Sequence, residues 1–380
     1  MLALAALYLA VRPSSEPPPL PDDSLALARR LRAHPADWRA ASALSERALD
    51  SGRPNRFALW RAAYDAGMHL APHRDAPRLE FARAALFHWT QLGAGDRRAA
   101  LDALAPLLRD PGTFYRMARP LFDLTGDLAM LRRWNPGNAD ALVYLRNTAA
   151  MNGRFAEYRE LRGEASRKRI AEFRAALPQR TAEEIVAALP EPPYSTDDEP
   201  LLRSALGELH RRPLTEDPHQ PAKLDALADY ALRHRLELDG IDSVTRLPGA
   251  ASERTRYRLA KASGMDAAAF DIRMAADERI DEAPAGWQQL DAGSVKGRSW
   301  IDREMSGPVS IVIEPVRRDD VPPYVEVYVD DALAAEGEAA APRAFRVAAK
   351  PGVHRLEVRI ANPVTRNGDS RLVRVVSVAP

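Results

Sequence analysis

Pro322 to Asp331 reads PPYVEVYVDD. Val325, Val327 and Val329 fall on one side of an extended chain, with Glu326 and Tyr328 on the other. This period-two alternation is that of a strand with one face turned to a core. Val309, Ile311 and Ile313 repeat it upstream. Further strands are expected over Ala344 to Val347, His354 to Ile360 and Leu372 to Val378. Lys350-Pro351-Gly352 and Arg366-Asn367-Gly368-Asp369 supply the turns between them. About seven or eight short strands in roughly 95 residues predict an antiparallel, jelly-roll-like β-sandwich over 287–380. The linker before it covers 276–286, where Pro284-Ala285-Gly286 marks the change of period.

Upstream of that linker the apolar spacing is helical almost throughout 24–275. Asp22, Asp23 and Ser24 are cap residues before Leu25, Leu27 and Leu31. Short helices then alternate with turns such as Gly52-Arg53-Pro54, Gly93-Ala94-Gly95-Asp96 and Asn135-Pro136-Gly137-Asn138. The clearest unit has Leu142, Leu145 and Ala149 in one apolar stripe, a turn at Asn152-Gly153-Arg154, and a return helix opening with Phe155, Tyr158 and Leu161. That unit resembles a tetratricopeptide repeat. The earlier pairs follow it loosely, without the strict period of a regular array. The resemblance implies an irregular tetratricopeptide-like α-solenoid with a concave binding surface. A proline- and acid-rich stretch, Leu189 to Pro200, is expected to break it near 189–200. The predicted fold is therefore multidomain α plus β: a helical solenoid followed by an antiparallel sandwich.

Leu2 to Val11 is an unbroken apolar run. As a helix it would rise about 15 Å, half of a hydrocarbon core of about 30 Å. Residues 1–11 are read as the trailing part of a membrane anchor or signal segment. Residues 12–23, rich in proline, are read as a stiff spacer behind it. Together they predict an inner-membrane-anchored bacterial protein that faces the periplasm or extracytoplasmic space.

Charge excludes an obvious nucleic-acid binder: 54 Lys and Arg residues stand against 53 Asp and Glu, a net charge of +1. Arg167-Lys168-Arg169, flanked by Glu164 and Glu172, reads as a solvated helix face. The chain has no cysteine, which removes thiol nucleophiles, thiolate metal sites and disulfides.

The C-terminal segment resembles the calcium-dependent carbohydrate-binding modules that recognise xylan-like glycans. Pro322 to Asp331 stands where that family has a strand ending in Val-Asp-Gly. Gly352 to Asn362 stands where it has a strand ending in Asn-Asp, and Gly368 to Leu372 where it has Gly-Asp-Arg-Asn-Leu. Three positions depart: Asp331 replaces the turn glycine, Pro363 replaces the aspartate after Asn362, and Ser370-Arg371 replaces Arg-Asn. The resemblance implies glycan contact through Trp287, Trp300, Tyr324 or Tyr328. It also implies a calcium site that uses Asn362 and Asp369.

Catalytic machinery is not recognisable. The chain has no G-x-S-x-G, no H-E-x-x-H and no phosphate-binding loop. His69 and His73 are four apart, but Pro72 spoils the helix that would present both. Paired helices followed by a sandwich are also the layout of some polysaccharide lyases, for which Tyr64, Tyr115, Tyr144 and His88 are the available groups. The expected function is a non-catalytic, membrane-tethered scaffold or binding protein of a cell-envelope or exopolysaccharide process. Its helical stack would bind a protein partner on the concave face, and its sandwich would touch polysaccharide. The alternatives are a glycan-binding protein acting through the sandwich and a lyase-like enzyme.

Overall fold

The computed structural model describes residues 23–34, 37–50, 54–70, 75–216, 220–236, 252–264, 294–295, 298–316, 320–365 and 368–379. The expected anchor, most of the spacer, the 276–286 linker and Trp287 lie outside them. Among the described residues no helix is long and apolar enough to cross a membrane. The N-terminal part is helical and the C-terminal part consists of antiparallel sheets. The chain divides into two compact units, Met1–Pro136 and Gly137–Pro380.

The first unit holds α1 (Ser24–Ala33), α2 (Trp38–Asp50), α3 (Arg56–Leu70), α4 (Asp75–Phe87), α5 (Ala94–Leu104), α6 (Pro111–Thr125) and α7 (Leu128–Trp134). Its core gathers Leu49, Trp60, Phe81, Trp89 and Leu92. Phe81 is sandwiched between Trp60, at 4.1 Å between ring centroids, and Tyr64, at 3.7 Å. Local chemistry sets the ends of α6. The Asp110 carboxylate accepts from Thr113 N, Pro111 takes the first turn, and Gly126 closes the helix at φ 64°. A glycine there avoids the Cβ clash of the left-handed conformation.

The second unit begins with a helical hairpin, α8 (Ala139–Met151) and α9 (Phe155–Ala176). Asn138 caps the first helix by accepting from Ala141 N. The hairpin turns at Gly153, whose φ is 72° and whose missing Cβ would stand 3.4 Å from Val321 Cγ1. Both facts favour glycine. After α10 (Ala182–Ala187), started by a Thr181–Glu184 capping box, come α11 (Glu199–Arg211), α12 (Pro221–Arg233) and α13 (Glu253–Ala262). The expected break at 189–200 is a packed strap. Leu189 and Tyr194 belong to the same core as Leu202, Leu227 and Tyr230, and the Tyr194 hydroxyl donates to Lys223 O at 3.0 Å.

The strands are β1 (Ser294–Val295), β2 (Arg298–Met305), β3 (Val309–Pro315), β4 (Tyr324–Val329), β5 (Ala332–Glu338), β6 (Arg343–Val347), β7 (Gly352–Ile360) and β8 (Val373–Ala379). They form two four-stranded sheets, ordered β1-β8-β3-β6 and β2-β7-β4-β5, with every pairing antiparallel among the described residues. Ile311, Ile313, Phe345 and Val375 of the first share one core with Val325, Val327, Leu356 and Val358 of the second.

The alternation in β4 therefore holds for its valines, but its other face is not solvent. All six residues of β4 are buried. The helices of this unit cover Tyr324, Glu326 and Tyr328, which is why the compact units do not divide where helix gives way to strand.

Candidate functional site

The covered face of the β2-β7-β4-β5 sheet is polar and charged. Cross-strand register puts Glu336, Glu326, Arg359 and Arg298 on one rung, and Tyr328, Glu357 and Trp300 on the next. Buried charges need partners, and this face supplies them. Glu357 accepts from Arg359 Nε at 2.6 Å and is paired with Arg298. Arg359 also lies 3.9 Å over the Tyr328 ring.

Helix α9 meets this face. Phe155 stacks on Tyr324 at 4.5 Å, and Tyr158 meets the same ring edge-on at 5.5 Å. Glu326 accepts from three groups: Tyr158 Oη at 2.6 Å, Arg162 Nη1 at 2.6 Å and Tyr328 Oη at 2.9 Å. Arg162 also holds both oxygens of Glu336, at 2.8 and 3.3 Å. Burial, with Glu326 beside it, pushes the Tyr158 hydroxyl far above the ordinary phenol value. Burial pushes Tyr324 up to about 12, and the Glu336 carboxylate adds to the rise.

Helix α12 makes a second junction. Asp229 is paired with Arg233 at 3.0 Å, with Arg258 of α13, and with Arg355 of β7 at 3.7 Å. Arg233 also reaches Asp331, to which His234 bonds at 2.8 Å. Asp331 is buried at φ 67°, directly after Asp330 at φ 48°. A non-glycine residue persists in that conformation only where surroundings hold it. Here they are Arg233, His234 and Thr196, whose N–H donates to Asp331 O at 3.1 Å.

Among the described glycan-contact candidates, Tyr324 and Tyr328 are 2% and 6% exposed. As placed they are packing groups, with no face open to a sugar ring. Trp300 is partly buried, with the Arg355 guanidinium 4.5 Å from its ring.

Asn362 does not offer its amide to a cation. Its Oδ1 accepts from Tyr324 N at 2.8 Å, and its Nδ2 donates to Pro322 O at 3.0 Å and Ala150 O at 3.3 Å. Asp369 is exposed. Among the described residues no group of three or more His, Asp or Glu is placed to hold a metal. Asn362→Asp would aim a carboxylate oxygen at those two carbonyls. A loss of about 1–3 kcal/mol is expected in urea unfolding. Stabilisation of that variant by calcium would contradict this reading.

The groups considered for lyase chemistry each have their own neighbours. Tyr64 stacks on Phe81, Tyr115 meets Phe114 edge-on, and His88 lies 3.5 Å from Asp50. Tyr144 belongs to the other compact unit.

The arginines beside this face carry no motif in the sequence. Tyr158, Arg162, Ala165 and Arg169 are spaced by four, three and four residues, so they share one face of α9. That face borders an open groove of about 400 Å³, closed by the strap and by Glu326, Tyr328 and Arg359. A neighbouring cleft of about 420 Å³ shares Arg169, Pro190 and Glu191 with it and runs on to Arg180. The expectation of a solvated Arg167-Lys168-Arg169 face holds for the exposed Lys168, 3.7 Å from Glu172. It fails for Arg169, which turns into the groove. Comparison with protein-family models, curated proteins and solved structures finds no match to this chain.

Proposed function

We propose that this chain is a non-catalytic binding and scaffolding protein of a cell-envelope or exopolysaccharide process. In this reading the helices form an irregular tetratricopeptide-like stack that receives a protein partner. The two sheets form a jelly-roll-like β-sandwich, and the N-terminal segment tethers the chain to a membrane on its extracytoplasmic side. The sandwich descends from a carbohydrate-binding module whose calcium and ligand positions have been turned to internal bonding, and glycan contact is left to other surfaces.

One observation carries this reading: residues at or next to the three positions that depart from the module pattern are engaged inside the protein. Asp331 bonds Arg233 and His234. Asn362, ahead of Pro363, bonds Ala150 and Tyr324. Arg371 is buried and donates to Asn362 O at 2.9 Å and Val364 O at 2.6 Å. A strand face built of Tyr324, Glu326 and Tyr328 serves the same purpose, because ion pairs and tyrosine hydroxyls give a docking surface one register where an apolar face would tolerate several.

The test is polysaccharide binding by the full chain, with calcium and then with chelator, while polymer length and unsaturated-uronate absorbance are followed. The expected result is binding that does not depend on calcium and leaves the polymer intact. Calcium-dependent binding would restore the module reading, and chain cleavage would establish an enzyme.

A further inference from the structure

The groove along α9 is lined by charges of both signs, and the two signs are not equivalent. Its carboxylates are largely engaged: Glu326 by Arg162 and two tyrosines, Glu172 by Lys168 and Ala139 N, Glu191 by Lys223, Asp198 by Ser195. Three of its arginines have no carboxylate partner among the described residues. Arg146 donates from Nε and Nη2 only to the neutral Asn147 side chain, at 3.1 and 2.9 Å. Arg180 lies 5.7 Å over the Phe173 ring, and Arg169 stands where the two clefts meet. All three are partly buried and line the two clefts.

We propose that this groove binds an acidic oligosaccharide, with Arg146, Arg169 and Arg180 holding successive uronate carboxylates. The assignment rests on the glycan-contact part of the proposed function and moves that contact from the sheet to the helical hairpin.

A planar carboxylate matches the guanidinium fork with two parallel hydrogen bonds. A phosphate dianion suits the groove less well, because Asp140 and Asp197 also border it. Those carboxylates and Ser166 are the acceptors that sugar hydroxyls require. A neutral sugar would lack the aromatic platform, since Arg359 covers the Tyr328 ring and Tyr158 packs on Tyr324. Two joined clefts, each of a size that holds a small ligand, suit several sugar units in a row.

The experiment is calorimetric titration of the full chain with tetragalacturonate, with cellotetraose and sodium sulfate as controls. Tetragalacturonate is expected to bind and the controls are not. Arg169→Ala and the triple Arg146→Ala, Arg169→Ala, Arg180→Ala variant should each weaken binding roughly ten- to hundredfold at an unchanged melting temperature. Arg169→Lys, which keeps charge but loses the fork, should fall between. Should the triple variant unfold, the two single substitutions decide. Binding of tetragalacturonate that the arginine substitutions leave unchanged would overturn this site and spare the glycan reading. Equal binding of sulfate would overturn the sugar assignment, and no binding of any acidic glycan would overturn both.

Discussion

Glu326→Ala is expected to destabilise the second compact unit by about 3–5 kcal/mol, the range for removing one partner of a buried ion pair. Glu326 is 5% exposed and is the common acceptor of Arg162, Tyr158 and Tyr328. Its loss leaves Arg162 with Glu336 alone and strips both tyrosine hydroxyls of the carboxylate they share. The alanine adds a cavity under α9, and groups left unpaired in a low-dielectric layer cost more than the net value of their bonds. Glu326→Gln keeps the shape and an acceptor oxygen but not the charge, so a smaller loss is expected. Urea unfolding followed by tryptophan fluorescence and by far-ultraviolet circular dichroism measures both. A loss under about 1 kcal/mol for Glu326→Ala would show that α9 and the sheet are held by packing alone.

One face of the sheet is legible in the sequence and the other is concealed. The valine spacing in 325–329 identifies the strand and its core face, because a period of two in β-branched residues has few other readings. Tyr324, Glu326 and Tyr328 carry no such signal. Their residue types are those of a solvated or ligand-facing surface, and only the approach of α9 makes them interior. The same holds for Asp331. In a Val-Asp-Asp turn it reads as a replacement for glycine, and nothing local announces that Arg233, far upstream in the chain, meets it. Helix boundaries are easier, because caps such as Asp110, Asn138 and Thr181 act within one turn. The 189–200 strap misleads in the opposite direction. Its prolines and acids suggest a linker, while Leu189 and Tyr194 are what anchor it. The groove arginines are legible only as spacing: Arg162 and Arg169, two turns apart on one helix, share a face, but charge alone gives no reason to look for a cavity beneath it.

Asp229→Asn should produce the other large effect, and its pH dependence separates charge from packing. Burial by itself raises the Asp229 carboxyl. Arg233, Arg258 and Arg355 around it more than offset that and hold its pKa below the ordinary 3.8. Asp331 behaves alike: burial raises it, while its hydrogen bond from His234 and the charge of Arg233 bring it below the same value. A carboxyl whose folded pKa is depressed contributes stability that is fully present above its unfolded pKa. That contribution is lost as pH falls through the folded one. The wild-type chain should therefore keep this contribution from neutral pH down to about 4, and lose it progressively below. The amide in place of the carboxylate would keep the side-chain volume while leaving three arginines without their shared counter-ion. A loss of about 3–5 kcal/mol is expected at about pH 7. Below about pH 4 the gap between variant and wild type should narrow, because the wild-type carboxyl is itself becoming neutral. Urea midpoints for both proteins at intervals from about pH 2.5 to about pH 7 measure this. A gap that stays constant across that range would mean that Asp229 acts through shape and hydrogen bonding, with its charge playing no part in joining α12, α13 and β7.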